Sequence, residues 1–139
     1  MLGVDLQPIK ISLPSHVKVI QADIFELTDE DLKINGGKAD VILSDMAPKT
    51  SGIRTTDVRR SFELNKKVLN LANDILCPEG SLLVKAFQSK LLDELCSEFR
   101  KMFAQVKLCK PKSSRSESCL LYTSPSPRDA TLSRMPSSA

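Results

Sequence analysis

Three aspartates stand where apolar runs end. Asp5 closes MLGVD, Asp23 closes VKVIQAD and Asp45 closes ADVILSD. A carboxylate at the exit of a strand accepts hydrogen bonds, which suits ribose hydroxyls or the amino group of an adenine. Aspartate is also common in turns, so any one of them alone reads as a turn residue. Their repetition at equivalent positions is what points to a binding edge. Lys85 lies inside SLLVKAF, residues 81–87, with apolar neighbours on both sides. An exposed edge where the lysine snorkels is the plainer reading. The apolar neighbours favour a buried strand, and an ammonium there is costly without a carboxylate. Asp45, at the end of the preceding strand, is the candidate, and a Lys–Asp pair at a crevice is a candidate functional site. KPKSSRSES, residues 110–118, adds Lys110, Lys112 and Arg115 as groups able to hold phosphates, and Glu117 as a second acid within reach of Lys85. Without a crevice beside it, this stretch is a solvated loop. Arg54, Arg59 and Arg60 in RTTDVRR offer similar cations, or a solvated helix start.

These groups need elements to position them. Strands are expected at 1–5, 17–23, 39–45, 81–87 and 104–110, from short β-branched or alternating runs. A helix is expected over 57–77. Val58, Phe62, Leu69, Ala72 and Leu76 form one row, and Leu64, Val68, Leu71 and Ile75 a second. Thr56 or Asp57 can cap its start, and Pro78 with Gly80 can end it. A second helix is expected over 89–103, burying Leu91, Leu92, Leu95, Phe99 and Phe103, and a short one over 29–34. Strands alternating with helices predict a mostly parallel sheet with helices on its faces. Ligands of such sheets bind beyond the carboxyl ends of the strands, where the three aspartates stand.

The chain has 139 residues and a net charge of +3, which fits one domain with its own core. No run approaches the length of a membrane span, and no signal-peptide pattern opens the chain. Cys77, Cys96, Cys109 and Cys119 show no C-x-x-C spacing, so a zinc site or disulfide framework is not expected. The lone His16 is assigned no role. From Cys119 the composition changes. CLLYTSPSPRD resembles the translation of a transposon-type sequencing adapter, and SRMPSSA resembles further adapter read-through. The expected division is therefore residues 1–118 as a partial domain and 119–139 as a non-native tail. Without Arg128, Arg134 and Asp129 the net charge falls to +2, too mild to identify a nucleic-acid partner by charge.

DVILSDMAP with the following SG, then GSLLVKAFQ, then KPKSSRSES, resembles the FtsJ/RlmE family of ribosomal RNA ribose 2′-O-methyltransferases. GVDLQPI and VIQADIFE are similar to the family's second and third cofactor segments, so the likeness covers residues 2–118. It implies a Rossmann-like α/β fold dependent on S-adenosylmethionine. Asp5 would bind the cofactor's ribose and Asp23 its adenine. Asp45 would lie at its methionine part and belong with Lys85 and Glu117 in the catalytic group. The implied partner is ribosomal RNA or the large ribosomal subunit. The implied setting is a monomer without membrane attachment, in the cytoplasm, or in the mitochondrion if the source is eukaryotic.

Two departures stand out. Lys49 occupies the place where the family's SDMAP motif usually continues with Asn. The family's glycine-rich cofactor loop and first strand have no counterpart, and its native last strand is replaced from Cys119 onward, so the fold is expected to be incomplete. The absent first strand would lie between the strands ending at Asp5 and Asp45, and the chain as written is expected to bind cofactor weakly and to be inactive. The chemistry implied for the intact protein is in-line methyl transfer to a ribose 2′-oxygen. Lys85 would orient that oxygen or, where burial favours the neutral amine, take its proton. No metal is required. Transfer-RNA or cap 2′-O-methylation is the alternative within the enzyme class. A non-catalytic nucleotide- or RNA-binding α/β module is the alternative outside it.

Overall fold

A computed structural model of the chain describes residues 1–33, 38–48, 51–112 and 118–123. The expected strands form, four with shorter bounds and the one expected at 81–87 extended back to Leu76. β1 (Leu2–Asp5) and β2 (Lys18–Gln21) pair in parallel, with Asp5 opposite Gln21. A 3₁₀ turn at Ile24–Glu26 and a one-turn helix α1 (Asp29–Leu32) follow, and both lie against the long helix α2 (Arg54–Ile75). β3 (Ala39–Ser44), β4 (Leu76–Phe87), β5 (Val106–Cys109) and β6 (Ser118–Thr123) form a second sheet in the order β3-β4-β6-β5. β3 and β4 are parallel, and β6 runs antiparallel between β4 and β5. Among the described residues no ladder joins the two sheets.

Helices α2 and α3 (Leu91–Arg100) cover one face of the four-stranded sheet. Leu82, Val84 and Ala86 of β4 and Leu121 of β6 meet Val68, Leu69, Ala72, Leu95, Phe99 and Phe103 there. Strand alternation makes the opposite outcome unavoidable for the residues between. Leu83, Lys85 and Phe87 point to the other, half-open face. Leu43 of β3 is 72% exposed there.

Several boundaries differ from expectation. The long helix starts three residues earlier, at Arg54, with Ile53 before it and no side-chain cap at that position. Asp57 does not cap it but turns back to Ser51. Pro78 and Gly80 do not end the helix; it stops at Ile75, and both residues belong to β4. They sit in a bulge. Ala39 pairs with Leu76 and Val41 with Ser81, so β4 carries extra residues over this stretch. Gly80 is required there, because a Cβ would come within 2.6 Å of the Leu76 side chain and 3.0 Å of the Asp40 carbonyl oxygen. α3 is shorter than expected, and Ile34 of the short helix lies outside the described residues.

The buried stripe of α2 also differs. It runs through Asp57, Ser61, Asn65, Val68, Leu69 and Ala72, so its first half is polar. Leu64 and Phe62, expected in the core, are half-buried. β6 contains the first five residues of the stretch expected to be a tail. Cys119, Leu121 and Thr123 are buried in it, and Thr123 Oγ1 accepts from Leu82 N at 2.9 Å and donates to Leu82 O at 3.2 Å.

Candidate active site

The loop after β3 is built by short-range chemistry. Met46 packs onto the core and anchors the chain just past Asp45. Gly52 adopts φ 85°, a left-handed conformation that glycine enters without penalty. Ser51 can then meet Asp57, whose Oδ1 accepts from Ser51 N at 2.9 Å and from Ser51 Oγ at 2.8 Å. The Ser51 backbone N–H and hydroxyl hold the Asp57 carboxyl below the usual carboxylate range. Arg54 Nη2 donates to the Gln88 carbonyl at 3.1 Å and ties the start of α2 to the end of β4. Lys49 lies outside the described residues.

Asp45 and Lys85 are brought together as expected. The parallel register ends with Ser44 opposite Val84, so the next residue of each strand is Asp45 and Lys85. Lys85 Nζ lies 3.3 Å from Asp45 Oδ1. The burial expected for Lys85 is not found. Its side chain is 39% exposed and that of Asp45 is 81% exposed, because Lys85 points to the open face of a half-buried strand. The pair sits at a crevice of about 380 Å³ lined by Leu43, Ser44, Asp45, Leu83, Lys85 and Leu120, a size within the range of ligand sites. A second void, of about 10 Å³ between α2, α3 and the end of β4, has room for one water at most.

Asp5 and Asp23 share the carboxyl end of the two-stranded sheet, where Ala22 N donates to Asp5 O. Asp5 Oδ1 accepts from Gln7 N, and Asp23 Oδ1 accepts from Phe25 N, each at 3.0 Å. Both acids therefore also serve as turn caps. Their Oδ2 atoms have no partner among the described residues, which suits acceptance from hydroxyl or amino groups of a nucleoside. Residues 113–117, with Glu117 and Arg115, lie outside the described residues. Lys110 does not present a free ammonium to phosphates, since its Nζ donates to the Ser118 carbonyl at 2.8 Å and closes the β5–β6 connection. Arg59 and Arg60 are exposed on the first turns of α2.

Cys96 and Cys119 are buried, and burial pushes both thiols up, away from reactivity. Cys109 is exposed. No group of metal-ligating side chains occurs among the described residues. No helix among them is long and apolar enough to cross a membrane. Reading the sequence missed Asn65. It is 1% exposed, and its Nδ2 donates to the Lys85 carbonyl at 3.2 Å. Its spacing was the available signal: four residues after Ser61 and seven before Ala72, on the face that turns inward.

Comparison with known proteins agrees with this architecture. Residues 1–124 match the family of FtsJ-like methyltransferases. Ribosomal RNA large subunit methyltransferase E of Methanothermobacter thermautotrophicus is 41% identical over 124 residues, covering 88% of this chain and 59% of that protein. The protein of the same name from Bdellovibrio bacteriovorus is 42% identical over 118 residues, covering 83% and 60%. The chain thus spans about three-fifths of the length of these curated relatives. A crystal structure described as that of a ribosomal RNA methyltransferase from Plasmodium falciparum aligns with a TM-score of 0.79 at 24% identity, covering 91% of this chain and 71% of that one. The shared fold is the Rossmann-like α/β methyltransferase fold.

Proposed function

Because this chain belongs to the FtsJ-like methyltransferase family, we propose that the protein methylates a ribose 2′-hydroxyl of ribosomal RNA, in the large subunit, with S-adenosylmethionine as donor. The Lys85–Asp45 pair at the mouth of the crevice, beyond the ends of two parallel strands, is the observation that carries this reading. The large-subunit assignment draws on the names of the curated relatives. The protein acts as a monomer, in the cytoplasm or, in a eukaryote, in the mitochondrion.

Asp5 and Asp23 fit the nucleoside end of the cofactor, since both stand at the carboxyl end of the two-stranded sheet. Asp45 fits the methionine end. When bound, S-adenosylmethionine supplies a methyl group already activated on a sulfonium. The protein's remaining tasks are alignment of the acceptor oxygen, within about 3–3.5 Å of the methyl carbon, and removal of its proton. The Lys85 amine orients the 2′-oxygen, or takes that proton once bound cofactor and RNA have buried it and favoured its neutral form, and Asp45 fixes where the amine stands. On the family resemblance Glu117 supplies the second carboxylate. Leu43, Leu83 and Leu120 give the crevice an apolar wall that suits the flat face of a base or sugar. A 2′-hydroxyl acceptor makes RNA the substrate and excludes DNA.

The test is methyl transfer by the full-length protein from methyl-labelled S-adenosylmethionine to large ribosomal subunits, to free ribosomal RNA, to transfer RNA and to capped RNA. Label on a ribose of large-subunit RNA is expected. Label confined to transfer RNA or to caps, or cofactor binding without transfer, would refute the proposal.

A further inference from the structure

Asn65 is buried in the interface between α2 and the sheet, at 1% exposure, and its amide makes one hydrogen bond there, from Nδ2 to the carbonyl of Lys85 at 3.2 Å. Its Oδ1 is buried without a partner among the described residues. Asn65 lines the void of about 10 Å³ between α2, α3 and the end of β4, and unless a water fills it the unpaired amide oxygen opposes folding. The same stripe of α2 continues with Val68, Leu69 and Ala72, so an aliphatic side chain at 65 would suit the interface better. The amide is therefore poorly explained by stability alone.

The place of its one bond supplies an explanation. The β3–β4 ladder stops at Ser44 and Val84, one residue before Lys85, as β3 leaves toward Asp45. β4 must carry Lys85 past the point where its parallel partner ends. Asn65 reaches that backbone from the helix side, while the Lys85 side chain leaves on the opposite face and meets Asp45. One turn earlier on α2, Ser61 is buried, and one turn before that Asp57 holds Ser51. This polar row connects the loop after Asp45 to the strand that carries Lys85.

We infer that Asn65 is a positioning residue, whose amide fixes the Lys85 backbone and so sets the reach of the Lys85 amine toward Asp45 and the acceptor oxygen. The inference rests on the methyl-transfer reading above. Asn65→Leu in the full-length protein removes the donor and the unpaired oxygen together at similar volume. The thermal midpoint is expected to hold or rise while kcat falls at least ten-fold and KM for S-adenosylmethionine and RNA stays within two-fold. Independently of turnover, the Cε resonance of Lys85 in ¹³C-lysine-labelled protein is expected to move. An Asn65→Leu protein with unchanged kcat, one whose loss of kcat merely follows a lower thermal midpoint, or one with an unmoved Lys85 resonance overturns the inference. If the wild-type protein methylates none of the RNAs, the functional reading fails and the resonance alone decides this one. If Asn65→Leu does not fold, Asn65→Ala is judged by the same measurements.

Discussion

Replacing Lys85 and Asp45 by alanine, singly and together, separates a pair placed for chemistry from one placed for stability. At 3.3 Å two unit charges attract by about 1.3 kcal/mol at the dielectric constant of water and about 5 kcal/mol at an effective value near 20. The exposure of both side chains, 39% and 81%, puts the pair close to the first case. Exposed pairs couple by about 0.2–1 kcal/mol in double-mutant cycles, and salt reduces this further. The stability coupling is therefore expected below about 1 kcal/mol, a thermal shift of no more than about 4 °C, shrinking as salt is raised. Activity should behave otherwise. A positioned acid–base group is worth about 10²–10⁴-fold, so Lys85→Ala should lower kcat by at least 100-fold while the Kd for S-adenosylmethionine stays nearly unchanged. At saturating S-adenosylmethionine the double variant should turn over no more slowly than Lys85→Ala, because Asp45 acts on turnover through the lysine. Its cofactor affinity should fall with the loss of the Asp45 contact. The assays are denaturant unfolding at two salt concentrations and single-turnover methyl transfer, both on the full-length protein. A coupling of 2 kcal/mol or more, or near-normal turnover in Lys85→Ala, would show the reasoning to be wrong.

Asp5→Ala and Asp23→Ala are each expected to weaken S-adenosylmethionine binding by about ten-fold to a hundred-fold, the loss of one hydrogen bond to a charged acceptor. Calorimetry with unchanged affinity for both variants would remove these acids from the cofactor site. Thr123→Val keeps shape but leaves the Leu82 N–H and carbonyl without the hydroxyl that pairs with both; a loss of about 1–3 kcal/mol is expected in chemical denaturation. The depressed Asp57 carboxyl stabilises the fold at pH values above the ordinary carboxylate range, and that contribution is lost as pH falls through its folded-state value. Asp57→Asn should accordingly lower Tm most at neutral pH, and the gap to wild type should close on acidification. A gap that stays constant from neutral to acid pH would contradict the role of the ionised carboxylate.

By itself, the sequence determined the alternation of elements and the residues at strand exits. Short β-branched or alternating runs located β1, β2, β3 and β5 to within a few residues, whereas β4 begins five residues before the expected start and β6 lies in the stretch expected to be a tail. The position of Asp45 relative to Lys85 was legible too. Asp45 ends one apolar run and Lys85 lies near the carboxyl end of another, so pairing those strands in parallel can bring the two side chains together. The bulge at Pro78–Gly80 was not legible, since these residues read equally as a helix stop. Only the approach of the Leu76 side chain and Asp40 carbonyl makes glycine necessary there. Nor was the exposure of Lys85 legible. Apolar neighbours in sequence lie on alternate faces of a strand, and which face is covered is decided by where α2 and α3 pack. Asn65 belongs to the same class. Its helical spacing fits an inward face, but its partner is a backbone carbonyl 20 residues away, and such a bond exists only once helix and sheet have met.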